Sequence, residues 1–91
     1  MNAITPQAAQ LELETGKALM LDLREPMDFE FVSFDVDNVI NLPLRKLPDA
    51  LEKFQKAKRL ICADFDESVA PKAAMMLEYN GFINVVYLQG G

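Results

Sequence analysis

The sequence predicts an α/β protein, a three-layer sandwich around a central, mainly parallel sheet of four to five strands. Three observations point there. Nearly continuous apolar runs of strand length recur at 18–23, 60–63 and 85–88, with a shorter one at 38–42, the pattern of strands covered on both faces. Segments with helical spacing separate them. The connections are short, which suits parallel βαβ units with right-handed crossovers. At 91 residues the chain can build one core and is too short for two, so a single domain over 1–91 is expected.

Thr5 and Pro6 read as the N-cap and first residue of a helix that continues through Gln7 to Leu13 and stops near Gly16. Ala18-Leu19-Met20-Leu21-Asp22-Leu23 follows as a strand that ends in charge. Glu25 to Phe31 can form one or two helical turns, and Asn38-Val39-Ile40-Asn41-Leu42 is a short strand closed by Pro43. From Pro48, the spacing of Leu51 and Phe54 predicts a short helix. Leu60-Ile61-Cys62-Ala63 is a strand of buried type. It leads through the polar turn Asp64-Phe65-Asp66-Glu67-Ser68 into a helix from Val69 to about Asn80, stopped by Gly81. On that helix Ala70, Ala73, Ala74 and Leu77 keep the i, i+3, i+4, i+7 pattern, a face small enough to lie close on a sheet. Met75 and Met76 read as gap-filling core. Val85 to Leu88 supplies the last strand before Gly90-Gly91.

Composition removes several function classes. With no histidine there is no His-ligated zinc, no Ser-His-Asp or Cys-His nucleophile and no imidazole base. The single cysteine, Cys62, cannot form an internal disulfide, which suits a reducing compartment, and the cytoplasm is the expected location. A net charge of −5 opposes binding to nucleic acid and to anionic membrane surfaces. No apolar run approaches the ~20 residues of a membrane span. Charge is unevenly distributed. The stretch from Asp22 to Asp37 holds six carboxylates against Arg24 alone, whereas Arg45, Lys46, Lys53, Lys56, Lys58 and Arg59 are six of the nine cations. Both regions read first as solvated surface and second as docking patches.

Parallel sheets bind ligands at the carboxyl ends of their strands, so the turn after Leu23 and the turn from Asp64 to Ser68 are the places to look. Around them Ile4-Thr5-Pro6, Leu21-Asp22-Leu23-Arg24-Glu25-Pro26 and Ile40-Asn41-Leu42-Pro43 occur in order. Ala73-Ala74, Leu77, Gly81-Phe82, Asn84-Val85 and Leu88-Gln89-Gly90-Gly91 follow. This succession resembles the single-domain rhodanese family across nearly the whole chain, without gaps from Arg59 to Gly91. Members of that family often occur as appended domains, so the chain is expected to act alone or as one piece of a longer protein.

The resemblance breaks where the chemistry lies. Active rhodaneses carry a Cys-Arg-x-Gly-x-Arg-Ser loop whose cysteine accepts sulfane sulfur. By the resemblance, the cysteine's place falls on Asp64, the first arginine's on Phe65, the glycine's on Glu67, the second arginine's on Val69 and the serine's on Ala70. The family's Gly-His pair is also replaced, by Phe34-Asp35. Asp22 and Arg24 survive from an Asp-x-Arg motif that, in the family, orients local structure near the site. A persulfide site needs a low-pKa thiolate cradled by N–H groups at a helix N-terminus, with arginine to hold the anionic donor. Asp64 cannot carry a persulfide, and Asp66 and Glu67 add two more negative charges. One such charge about 5 Å from an anion costs roughly 3 kcal/mol at an effective dielectric near 20, so small oxyanions are disfavoured. Ser68 is the expected N-cap of the following helix.

Two other readings of the turn are weaker. Asp64-x-Asp66-x-Ser68 fits the signature of haloacid-dehalogenase-like phosphatases, but only 23 residues follow Ser68, too few for that machinery. Asp64, Asp66 and Glu67, with Asp22, Asp35 or Asp37, could ligate a divalent cation, although the spacing matches no EF-hand. The expectation is therefore a catalytically inactive rhodanese-like module that requires no cofactor or metal. Its binding turn is Asp64, Phe65, Asp66, Glu67, Ser68 and Val69, flanked by the acidic Asp22 to Asp37 stretch, and its partner is a basic protein surface or a covalently linked neighbouring domain. The alternative is a weak sulfur carrier acting through Cys62, which the sequence places inside an apolar strand.

Overall fold

Strand-forming residues with apolar side chains on both faces need cover on both sides, and the chain supplies it. The computed structural model describes residues 2–27, 38–64 and 68–90. Within them the order is β1 (Asn2–Ile4), α1 (Pro6–Glu14), β2 (Leu19–Asp22), β3 (Val39–Asn41), α2 (Leu47–Ala50), β4 (Leu60–Ala63), α3 (Val69–Tyr79) and β5 (Val85–Leu88). The described strands form one sheet in the order β1-β5-β4-β2-β3, and every neighbouring pair is parallel. The expected helical turns from Glu25 to Phe31 fall mostly outside the described residues.

The sequence reading marked four strands; the fifth is β1, which pairs Asn2 with Val86 and Ile4 with Leu88. It is an edge strand of three residues with only Ile4 buried, so no apolar run announces it. The helix expected from Pro48 to Phe54 is instead a single turn, α2, between 3₁₀ turns at Leu44–Lys46 and Leu51–Lys53. Phe54 already stands in extended conformation, φ −119° and ψ 142°, and ends it.

The two longer helices begin and end as their sequences dictate. The Thr5 hydroxyl accepts from the Ala8 N–H at 3.2 Å, and Pro6 occupies a position where no N–H is needed. Both stop at a glycine in the left-handed region, Gly16 at φ 74° and Gly81 at φ 94°. There the amides of Lys17 and Phe82 reach back to the carbonyls of Glu12 and Leu77, at 2.9 and 3.0 Å. Ser68 takes the N-cap position of α3 but makes no side-chain bond to the helix amides, contrary to expectation. Its φ of −82° and ψ of −23° are already helical, whereas a capping serine sits in the extended region.

Side-chain alternation divides the core in two. Leu21, Leu60, Cys62 and Val85 face α2 and α3, where Ala70, Ala73, Ala74 and Leu77 lie flat against the sheet. Met20, Ile61, Ala63 and Val86 face Ala9 and Leu13 of α1. Met76 packs half-buried on the first core, but Met75 is 59% exposed and is not core, because α3 turns its alanine face inward and places Met75 outside. Truncating the fully buried Leu77 to alanine removes contacts on three sides. A loss of about 2–5 kcal/mol is expected in urea unfolding, against less than about 0.5 kcal/mol for Met75→Ala.

At the amino ends of the strands, Arg59 clamps three segments. Its Nε and Nη2 donate to Glu12 of α1 at 2.9 and 3.2 Å, and its Nη1 donates to Asn84 ahead of β5 at 3.0 Å. The Arg59 hydrogen bond holds the Glu12 carboxyl below its ordinary value of 4.5, with burial opposing part of the effect. A carboxyl lowered on folding stabilises the protein at pH values above its unfolded value, and that contribution disappears as pH falls through the folded value. The stability gap between the wild type and Arg59→Met is therefore expected to be steady at neutral pH and to close as the pH drops past 4.5, read from urea melts along a pH series.

Candidate functional site

A parallel sheet brings the carboxyl ends of all its strands to one side. Here the Leu23 amide bonds the Ala63 carbonyl at 2.9 Å, and the Leu42 amide bonds the Asp22 carbonyl at 2.8 Å, so the ends of β2, β3 and β4 are laced together. Asn41 completes the lacing. Its Nδ2 donates to the carbonyls of Asp22 at 3.0 Å and Arg24 at 2.7 Å, which pins the turn after β2. The sequence marks Asn41 as a strand residue and as part of the Ile40-Asn41-Leu42-Pro43 motif of the resemblance, but not as the residue that pins this turn.

Asp22 and Arg24 are both buried, at 0% and 4% exposure. Leu21 and Leu23 belong to the core under α3, so alternation sends Asp22 to the α1 side. Its Oδ1 accepts from the Arg24 backbone N–H at 3.1 Å and from Arg24 Nε at 2.8 Å. Its Oδ2 accepts from Nη2 at 2.5 Å. The pair neutralises itself in place. Asp22 therefore cannot join an exposed acidic patch or a cation site, as the sequence reading had allowed, because both its oxygens are turned inward and taken. Glu25 is exposed, and its nearest cation is Arg45 at 2.9 Å, a surface pair of little energetic weight. The remainder of the acidic stretch, 28–37, lies outside the described residues.

Cys62 stands in the middle of the site's supporting strand, not at its mouth. It is 0% exposed, pairs with Leu21 on one side and Tyr87 on the other, and belongs to the cluster beneath the α3 alanines. Burial pushes its thiol up to about 12. Asp64 follows β4 directly and is half-buried. Phe65, Asp66 and Glu67 lie outside the described residues. Ser68 is exposed, and Val69 is half-buried against the α3 core, so this residue of the proposed binding turn is partly committed to packing.

Among the described residues, no three acidic, cysteine or histidine side chains converge as a metal site. No described helix is long and apolar enough to cross a membrane. An open hollow of about 530 Å³ lies at the carboxyl end of β5, beside β1 and the first turn of α3, lined by Ala3, Pro71, Tyr87, Leu88, Gln89 and Gly90. No charged side chain is among these. Removing Arg24 strands the Asp22 carboxylate in the interior, and removing Asp22 takes a buried ionic partner from Arg24. Asp22→Ala and Arg24→Ala are each expected to cost about 3–5 kcal/mol in denaturant unfolding, with the double variant losing less than the sum.

The comparisons with known proteins bear on the fold and the family. A family model described as the rhodanese-like domain matches residues 5–91. No curated protein matches the sequence. Among solved structures, a human single-domain sulfurtransferase, TSTD1, superposes with a TM-score of 0.88 at 14% identity, over 100% of this chain and 91% of its own. The Saccharomyces cerevisiae single-domain sulfurtransferase RDL2 gives 0.82 at 22% identity, over 99% and 84%. A thiosulfate sulfurtransferase from Pseudomonas aeruginosa gives 0.76 at 26% identity, over 100% of this chain and 18% of its own. At such identities the two single-domain structures speak for the fold; with the family match over residues 5–91, the parallel five-strand sheet places this chain in the rhodanese-like domain family.

Proposed function

We propose that this domain has lost sulfur transfer and serves as a binding or regulatory module. The observation that carries the reading is the position of its one thiol. Cys62 is sealed in the central strand with its thiol pushed up to about 12, so at neutral pH it holds about a thousandfold less thiolate than an ordinary cysteine at 9.0. By the sequence resemblance, Asp64 takes the place of the family's reactive cysteine, and Phe65, Glu67 and Val69 take the places of loop residues that would cradle and hold an anionic donor. A carboxylate can neither accept sulfane sulfur nor release it. It would also repel thiosulfate and similar oxyanions, and two further acids in the turn strengthen that effect.

In this reading the turn from Asp64 to Ser68 is a docking element for a basic protein surface, either a separate protein or a neighbouring domain of the same chain, in a reducing, cytoplasmic setting. By sequence, 28–37 carries four further acids, Asp28, Glu30, Asp35 and Asp37, and Glu25 is exposed. Steering between opposite charges raises association rates and weakens with salt, so such docking is expected to be salt-sensitive.

Two measurements test the reading. In a thiosulfate:cyanide assay, the wild type and Cys62→Ala are expected to be equally inactive; turnover that disappears with Cys62 would establish the sulfur-carrier alternative. In parallel, a disulfide reagent is expected to modify Cys62 at the rate of global unfolding and stoichiometrically only in denaturant. Fast labelling of the native protein would contradict the sealed position on which the proposal rests.

A further inference from the structure

The outer face of α3 and the loop before β4 carry a surface that the described core does not use. Tyr79, at 93% exposure, and Ile83, at 79%, are the two most exposed large apolar residues among those described, and Met75 is 59% exposed. Lys72, Met75 and Tyr79 lie at i, i+3 and i+7 on α3, so they share its outer face. Ile83 comes just past the Gly81 stop, and its amide bonds the Lys56 carbonyl at 3.0 Å, bringing the loop before β4 beside the end of α3. Lys56 Nζ sits 4.1 Å from the centroid of the Phe82 ring. An apolar stripe is thus bordered by lysines on two sides.

The charge around the stripe is opposite to that of the whole protein. Lys53, Lys56, Lys58 and Lys72 lie on these elements, and among the described residues none is in an ion pair. The carboxylates on the same elements are Glu52 and Glu78, and the Arg59–Glu12 pair is already neutral. Four cations against two acids leave a local positive field on a chain of net charge −5. That inversion disfavours a basic occupant and favours an acidic one, while the exposed aromatic and aliphatic side chains supply the desolvated anchors that docking needs.

We propose that the outer face of α3, with Ile83 and the Lys56 loop, docks an acidic amphipathic segment of a partner protein, whose apolar side chains cover Met75, Tyr79 and Ile83 while its carboxylates meet Lys56, Lys58 and Lys72. This surface is independent of sulfur chemistry and of the turn at Asp64, so either proposal can fail without the other.

The probe is a fluorescent helical peptide of about 15 residues with leucines at i, i+3, i+4 and i+7 and glutamates elsewhere, titrated against the full chain by anisotropy and by amide shifts. Saturable binding is expected, with shifts at 72–83 and 54–58. Tyr79→Ser with Ile83→Ser, and separately Lys56→Glu with Lys72→Glu, should each weaken it at least about tenfold, with far-UV dichroism and melting temperature showing that the variants are folded. The same peptide with lysines in place of glutamates should bind at least about tenfold more weakly. Equal binding of the lysine peptide, shifts confined to α1 or to the turn after β2, or no binding at about 1 mM would overturn the proposal. So would a concentration-dependent dimer in sedimentation that Tyr79→Ser abolishes, since a second copy would then be the occupant.

Discussion

Everything in this molecule is arranged around β4. Leu60, Ile61, Cys62 and Ala63 are each 0–1% exposed, hydrogen-bonded through β2 on one side and β5 on the other, and covered above and below by helices. A strand so enclosed can change almost nothing without a cost of several kcal/mol, because close-packed interiors tolerate neither added volume nor unpaired polar groups. The same enclosure decides the chemistry. A thiol in the middle of β4 is shielded from water and from any donor, and its anion is disfavoured by the apolar surroundings that make the strand stable. Fold stability and sulfur reactivity therefore place opposite demands on position 62, and the packing satisfies the first.

The carboxyl ends of β2 and β3 are held in order by side chains. Asp22, Arg24 and Asn41 hold the turn after β2 by side-chain bonds to one another and to the backbone, with no buried side-chain nitrogen or oxygen left without a partner among the described residues. A buried ion pair often contributes less to stability than an apolar replacement of the same shape, because two charges must be desolvated to form it. What the pair does ensure is a single conformation, since Asp22 has both its oxygens taken by Arg24 and would be a stranded charge without it. For the binding role proposed above, a well-defined turn after β2 supplies a fixed surface and needs no exposed nucleophile.

How much of this was legible in the sequence depends on which residues carry the signal. The central strands at 60–63 and 85–88 and the alanine face of α3 were readable because burial on every side leaves uninterrupted apolar runs or a strict helical period. β1 was not, since an edge strand with one buried residue has no period to detect. Asp22 was misjudged in part. A carboxylate beside other carboxylates reads as solvated surface, and only the partner two residues on, folded back onto it, reveals a buried pair. Met75 and Met76 look alike in sequence, and the 100° between neighbouring positions on a helix sends one out and one inward. Tyr79 and Ile83 drew no notice for a similar reason, as exposure is invisible until the face of α3 is known.

The two ends of α3 also explain why charge is divided as it is. A helix presents partial positive charge at its first turn and partial negative charge at its last, so acids before Val69 and a cation near Tyr79 are each favourable, at about 0.3–1 kcal/mol. Asp64, between the end of β4 and the start of α3, meets the first condition. Lys56, held against Phe82 next to the final turn, meets the second, since α3 has no basic residue of its own there. The dipole accounts for one cation at that end and for no more, because its influence fades within a single turn. Lys53, Lys58 and Lys72 lie beyond that need, and so do the exposed side chains of Tyr79 and Ile83. Solubility does not call for them either, as a chain at −5 already repels its copies. Features that neither folding nor solubility requires, gathered on one side of the molecule and opposite in sign to the rest, are most economically explained by something that binds there.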